Sequence, residues 1–316
     1  MTAGLVTQWL AAGELKLPLP GSGATALRWR TLADLTAVDV AAGRLAEAHA
    51  DAVAILNEFA GPRPADNELW GVWIAESPDA VLRAHTAGDK VTLDGIKAWC
   101  TGGHLCDHAL VTARLDDGRH GLFAVALRTD AVRPLPSAWR NPGMVSSDVR
   151  SVQFSGAPAV AVGGPGEYLD GPGIWYSAMG VAACWIGGAR AVAAPLYQHV
   201  AGGSADEHAL AHLGAVDAAI TAAEAVLAAA AVTVDGDPGN ESGHAELTAR
   251  RLRAVAETAV DQAITRTGRA LGLGPLCRDA EHARRVADLT VFVRHSHAER
   301  DLATLGLLAG ANSDRR

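Results

Sequence analysis

The sequence is poor in the residues that would mark most simple functional classes. It has no Cys-x-x-Cys pair, and Cys100, Cys106, Cys184 and Cys277 stand at no metal-finger spacing, so no structural zinc module and no other metal site is expected. No window of 18 uninterrupted apolar residues occurs; even the alanine-rich run Ala218–Val232 carries Glu224, so no membrane span is expected. The start lacks a basic segment, and Gln8, Glu14 and Lys16 break its apolar run, which argues against a secretory leader. Positive charge is in deficit, with a formal net charge of -8, so a nucleic-acid or anionic-membrane partner is not expected. These absences point to a soluble cytoplasmic protein with four free thiols. There is no Walker loop and no Gly-x-Ser-x-Gly elbow. Phe and Tyr are scarce, four and three, and against that background eight tryptophans stand out.

Apolar residues make up 49% of the 316 and charged ones 20%, enough for a large core in one extended fold or two domains. Apolar residues near positions 35, 38, 42, 45, 52, 56 and 59 predict a helix over 32–60, stopped by Gly61-Pro62-Arg63-Pro64. Between Leu69 and Val162 short β-prone runs follow, divided by Gly, Asp, Pro and Asn clusters. Long helices are then expected over 173–200, 206–234, 243–270 and 280–308, with Asp235–Asn240 as the clearest break. The lack of βαβ alternation excludes Rossmann folds and (β/α) barrels.

Two small patterns carry little chemistry. Gly21-Ser22-Gly23 has the letters of a dinucleotide loop but follows Leu17-Pro18-Leu19-Pro20 rather than a strand, and reads as a plain linker. On a continuous helix His295 and Glu299 share a face while His297 points away, which reads as a helix end rather than a metal site. His49, on the first apolar stripe, reads as a satisfied buried imidazole.

Four stretches in register resemble the acyl-CoA dehydrogenase family: Trp70–Pro78, Gly95–Gly103, Asn141–Asp148 followed by Val149–Gly156, and Gly272–Gly274 followed by Arg278-Asp279-Ala280. The resemblance implies an α+β fold in three parts: a shortened N-terminal helical domain (1–68), a middle β-barrel domain (69–165) and a C-terminal four-helix bundle (166–316). It implies an FAD-dependent oxidoreductase acting on an acyl thioester or related small acyl substrate, assembled as a homodimer or homotetramer. Trp99, Thr101, Glu76 and Gly102 become cofactor contacts by that resemblance. A flavin needs a flat apolar wall, which Trp99 supplies, and donors at its N5 edge, which the Thr101 hydroxyl and main chain supply. Without the resemblance, Trp99 reads as a sheet-core residue and Thr101 as an ordinary strand threonine. A Gly102-Gly103 pair lets backbone approach a ligand closely.

The departures from the family bear on the chemistry. Ala287 stands where the family places its glutamate base, with Asp288 one residue later, and a helical side chain rotates by about 100° per residue. Asp288 is therefore a candidate base only with a rebuilt loop, and otherwise reads as a helix-starting cap. His295, with Asp288, resembles the residues that flavin monooxygenases of this fold carry in place of the glutamate, where an imidazole donates to an oxygenated reaction centre. The loop Gln198–Ser204 lacks the family's Arg and Phe that reach the FAD pyrophosphate. A flavin-dependent monooxygenase or oxidase on a non-thioester substrate, or a non-catalytic relative, stays open beside the dehydrogenase reading.

Overall fold

A computed structural model describes residues 2–88 and 90–311. Helices α1 (Thr2–Ala12), α2 (Thr25–Val38) and α3 (Val40–Glu58) open the chain. The single helix expected over 32–60 is broken at Asp39. That residue is extended; its N–H closes α2 on the Leu35 carbonyl (3.2 Å), and its carboxylate accepts the Ala42 N–H (2.8 Å) to cap α3. The turn packs so tightly that a Cβ on Gly43 would overlap the Thr36 side chain. The Gly21–Gly23 segment is no plain linker either. Asp235 accepts hydrogen bonds from Gly23 N (3.0 Å), Thr25 N (3.1 Å) and the Thr25 hydroxyl (2.6 Å).

The middle of the chain is a small closed barrel. Its strands are β1 (Trp70–Trp73), β2 (Leu82–Ala87), β3 (Lys90–Cys100), β4 (His108–Arg114), β5 (His120–Ala126), β6 (Val132–Pro134) and β7 (Arg150–Ala161). Antiparallel pairing runs β2–β3–β7–β5–β4, and a parallel contact of β4 with β2 at Arg114 and Arg83 closes the ring. Closure leaves no long free edge among these strands. β1 lies parallel to β4, and β6, a strand the sequence reading did not predict, pairs with β7. The central residues of β4 and β5 are buried on both faces, which is why they read as continuous apolar runs. One face meets α3: Ala52, Ile55 and Leu56 pack with Trp70, Val72, Leu110 and Leu122.

The remaining helices are α4 (Glu167–Asp170), α5 (Gly173–Ala201), α6 (Glu207–Gly236), α7 (Ala245–Leu271), α8 (Leu273–Arg278), α9 (Ala280–Phe292) and α10 (Glu299–Ala311). The helix expected over 280–308 is two helices. Between them lie a 3-10 turn (Val293–His295), an extended Ser296 and a left-handed Ala298 (φ 46°). The Ser296 hydroxyl bonds Glu257 (2.6 Å), and Asp301 accepts the His297 N–H (3.1 Å), so local side-chain acceptors win over helix continuation. The face shared by His295 and Glu299 on one helix therefore does not exist. By length and composition α5 and α6 are apolar enough to cross a membrane; 78% of the most apolar window of α5 is buried and 33% of that of α6.

Contacts divide the chain into two compact units. One holds the residues up to Leu17, Arg44–Asn141 and Val145–Ile174; the other holds Pro18–Gly43, Pro142–Met144 and the chain from Trp175. Within the second unit α5 crosses α2 with no room for a side chain. A Cβ on Gly187 would run into the Ala33 carbonyl, and one on Gly188 into Leu289. Gly214, on α6, faces open space. Gly187→Ala should lower the unfolding free energy by about 1–3 kcal/mol. Gly214→Ala should raise it by up to ~1 kcal/mol, because alanine is the better helix former. Denaturant unfolding of the two variants should move in opposite directions from the parent.

Candidate functional site

In the first unit three of the four cofactor residues expected from the sequence, Trp99, Thr101 and Gly102, lie at and just beyond the end of β3. Trp99 is the exposed tryptophan of the eight, with 58% of its surface open, and its backbone is left-handed (φ 61°). The β3–β7 register slips between Lys97 and Cys100, so Trp99 sits in a β-bulge. A bulge re-aims a side chain that regular alternation would pair, and left-handed geometry is costly for a residue with a Cβ. Thr101, two residues on, is buried, and its carbonyl accepts the Trp73 indole N–H (2.9 Å). Gly102 is left-handed (φ 71°); a Cβ there would lie 2.8 Å from Cys106 Sγ and 2.9 Å from Leu45. The space beside Gly102 is thus filled by protein atoms, and beside Gly103 by the Arg150 side chain. The turn is pinned by Gly102 N to Ser147 O (2.8 Å), Gly103 N to Asp148 O (3.1 Å) and His104 N to the Asp148 carboxylate (2.6 Å).

Glu76 is tied to an interior cation. Lys97, 2% exposed, donates to Glu76 Oε1 (2.6 Å), the Thr112 carbonyl (3.0 Å) and the Thr112 hydroxyl (2.7 Å). Burial pushes the Lys97 ammonium below its usual range, only partly offset by the hydrogen bond and charge of Glu76. Burial also pushes the Glu76 carboxyl up, but the Lys97 hydrogen bond and charge outweigh it, and the net shift is downward. His120 Nε2 lies 3.8 Å from the other Glu76 oxygen.

In the second unit Asp288 is not at a helix start. Asp279 caps α9, accepting from Glu281 N and His282 N (both 3.0 Å), and Asp288 lies two turns further in, 1% exposed. Asp288 Oδ1 accepts the N–H of the left-handed Met144 (2.6 Å), and Oδ2 lies 3.2 Å from Arg284 Nη1. The same Nη1 is 2.9 Å from Asp39 Oδ2. Burial raises the Asp288 carboxyl, the Met144 N–H and Arg284 pull it down, and Asp39 adds to the rise; the net shift is upward. A Cβ on Gly143 would overlap the Ala287 carbonyl, so only glycine lets the 142–144 segment lie this close to α9. His295 takes other partners: its ring meets Phe292 edge to face (5.3 Å), and its carbonyl accepts from Arg253 (3.0 Å). Of the remaining candidates, His49 is buried and accepts the Trp70 N–H at Nδ1 (3.2 Å). Cys100, Cys106 and Cys184 are buried and Cys277 is exposed; burial pushes the Cys106 thiol up to about 12. No cluster of metal-ligating side chains occurs among the described residues.

No protein-family model matches the chain, and no curated protein matches it. Solved structures do match over nearly its full length. The dibenzothiophene monooxygenase TdsC of Paenibacillus sp. A11-2, in a complex with FMN and indole, superposes with a TM-score of 0.76 at 19% identity, covering 96% of this chain and 95% of that one. A nitrososynthase of Micromonospora carbonacea var. africana gives 0.79 at 16% identity, covering 96% and 88%. The methanesulfinate monooxygenase MsuC of Pseudomonas fluorescens gives 0.78 at 16%, covering 99% and 96%. The chain has the acyl-CoA dehydrogenase fold.

Within that fold several residues around the candidate positions had no functional signal in the sequence. Arg284 and Asp288 show an i,i+4 ion-pair spacing, which is legible, but their third member, Asp39, is 245 positions earlier (284 − 39). Trp73 as a donor to Thr101 had no spacing signal at all. Asp288→Asn keeps an acceptor for Met144 but removes a carboxylate from a dry site. A carboxyl whose folded pKa is raised costs stability as pH climbs from its unfolded value, near 4, through the folded one, and the full cost persists above. The unfolding free energy of Asp288→Asn relative to the parent should therefore improve as pH rises from about 4 toward neutrality. Asp288→Ala also strands the Met144 N–H and should be about 1–3 kcal/mol less stable than Asp288→Asn at every pH. Urea melts between pH 4 and 8 test both; a flat difference for Asp288→Asn would remove the charge as the cause.

Proposed function

We propose that this chain is a flavin-dependent oxidoreductase of the monooxygenase kind, with the flavin ring seated on Trp99. The carrying observation is Trp99 itself, a large exposed indole held left-handed in a bulge. An indole face of this kind suits a planar aromatic ligand. The buried Thr101 two residues on fits donation of its hydroxyl to the ring edge, and the pinned turn Gly102–His104 keeps that edge rigid. When bound in its reduced form a flavin supplies the electrons that activate dioxygen.

The distribution of carboxylates favours oxygenation over α,β-dehydrogenation of an acyl thioester. A base for α-proton removal needs a free lone pair within reach of the substrate. Asp288 has one oxygen committed to Met144 and the other to Arg284, and is buried. It serves to hold the 142–144 segment on α9 rather than to accept a substrate proton. His295, at the end of the turn after α9, remains the candidate hydrogen-bond donor in the second unit. TdsC and MsuC, which are named as monooxygenases, support the same direction. The loop Gln198–Ser204 offers no arginine for a dinucleotide's pyrophosphate. With the FMN of the TdsC complex, this favours a mononucleotide over the FAD that the family resemblance implies.

A titration of the purified protein with FMN, FAD and riboflavin, followed by flavin fluorescence and visible absorption, tests the reading. Quenched, saturable binding of FMN is expected, with Kd raised about tenfold by Trp99→Ala through loss of the stack. Oxygen uptake should depend on a supply of reduced flavin. Bleaching of bound flavin by an acyl-CoA under anaerobic conditions would overturn the monooxygenase reading in favour of dehydrogenation. The absence of any flavin binding at micromolar concentration would overturn both.

A further inference from the structure

Trp99 cannot be held by ordinary sheet pairing, because the β3–β7 register is broken around it. The residues on either side are each fixed by a strong polar contact. Two positions before it, the Lys97 ammonium is bound by Glu76 and by both oxygens of Thr112. Two positions after it, the Thr101 carbonyl is bound by the Trp73 indole N–H. Both contacts lead to one short stretch, since Trp73 ends β1 and Glu76 follows three residues later. Neither contact supports the core in the usual way: an ammonium inside a barrel is destabilising unless each proton finds an acceptor, and an indole N–H needs only some acceptor, not this one.

From this juxtaposition we propose that Trp73–Glu76 is a positioning frame for Trp99: Trp73, and Glu76 acting through Lys97, fix the two flanks of the bulge and so set the pose of the exposed indole. The inference rests on the reading that Trp99 is the flavin platform. It adds that Glu76 acts on that platform through β3, as a positioning residue. Thr112 completes the frame, donating its hydroxyl to Glu76 Oε1 (2.8 Å) while accepting from Lys97, so a single network joins the segment after β1, β3 and β4.

The pose of Trp99 can be read without any flavin. Full-length protein labelled with 5-fluorotryptophan gives one fluorine resonance per indole, and Trp99→Phe identifies that of Trp99. In flavin-free protein, Glu76→Gln and Trp73→Phe should each shift or broaden the Trp99 resonance while leaving those of Trp29 and Trp185, buried in the other unit, in place. Glu76→Asp should restore part of the effect. The same variants should weaken FMN binding about tenfold, the loss expected when an aromatic stack is misplaced. Thr112→Val, which keeps the side-chain shape and removes one Lys97 acceptor, provides a second probe should Trp73→Phe unfold. An unmoved Trp99 resonance in Glu76→Gln and in Thr112→Val would overturn the frame. Movement of that resonance in a protein whose parent binds no flavin would leave the frame standing and reject the flavin reading instead.

Discussion

A lysine ammonium enclosed in the barrel is the constraint on which the first unit turns. Free burial of such a charge costs several kcal/mol, so Lys97 is tolerable only with all three donors occupied. Meeting that demand takes one carboxylate oxygen from the segment after β1 and two oxygens of one residue on β4. Those elements then cannot move independently of β3. The barrel is held by a polar contact as well as by its apolar layers, and the contact lies two residues from the one exposed tryptophan.

The second unit solves a related problem with the opposite sign. Asp39 and Asp288 are both buried and lie against the same guanidinium of Arg284. Backbone N–H groups also donate to them, from Ala42 to Asp39 and from Met144 to Asp288. Each carboxylate thus fixes a chain segment that has no regular pairing of its own: the break between α2 and α3, and the left-handed Met144. In the second unit the buried carboxylates thus hold irregular backbone, whereas in the first the buried ammonium ties two side chains and a carbonyl of β4 together.

This arrangement explains what the sequence disclosed and what it hid. The order of helices, barrel and helices was legible because it is written in periodicity: alternation or continuous apolar runs in β3, β4 and β5, and long 3.6-residue stripes in α5 to α7. The four motif stretches led to the same fold. Breaks within helices were not legible at Asp39 and Ser296, because both residues sit in otherwise helical patterns and act through side-chain acceptors whose partners lie elsewhere. β6 escaped because three residues containing a proline carry no periodic signal. Around the candidate site, Trp99 and Thr101 stood out by motif, whereas Trp73, Thr112 and Asp39 matter through contacts spanning from 15 to 245 positions, distances at which spacing conveys nothing.

Trp99 is the point at which stability and function pull apart. A left-handed conformation costs a residue with a Cβ on the order of 1–2 kcal/mol. Leaving an indole largely in water forgoes a further ~2 kcal/mol or so of burial. More than half of the residue's surface is open, and the bulge interrupts the ladder around it. The contacts that flank it, at Lys97 and Thr101, fix the two ends of the bulge but offset neither cost. A rigidly flanked, unfavourable and exposed aromatic surface is what a planar ligand needs and what folding alone would not select. The same reasoning separates scaffold from chemistry across the chain. The glycine crossings, caps and buried ion pairs specify the acyl-CoA dehydrogenase fold without reference to the side chain at 287, so the fold stands with an alanine where the family places its glutamate.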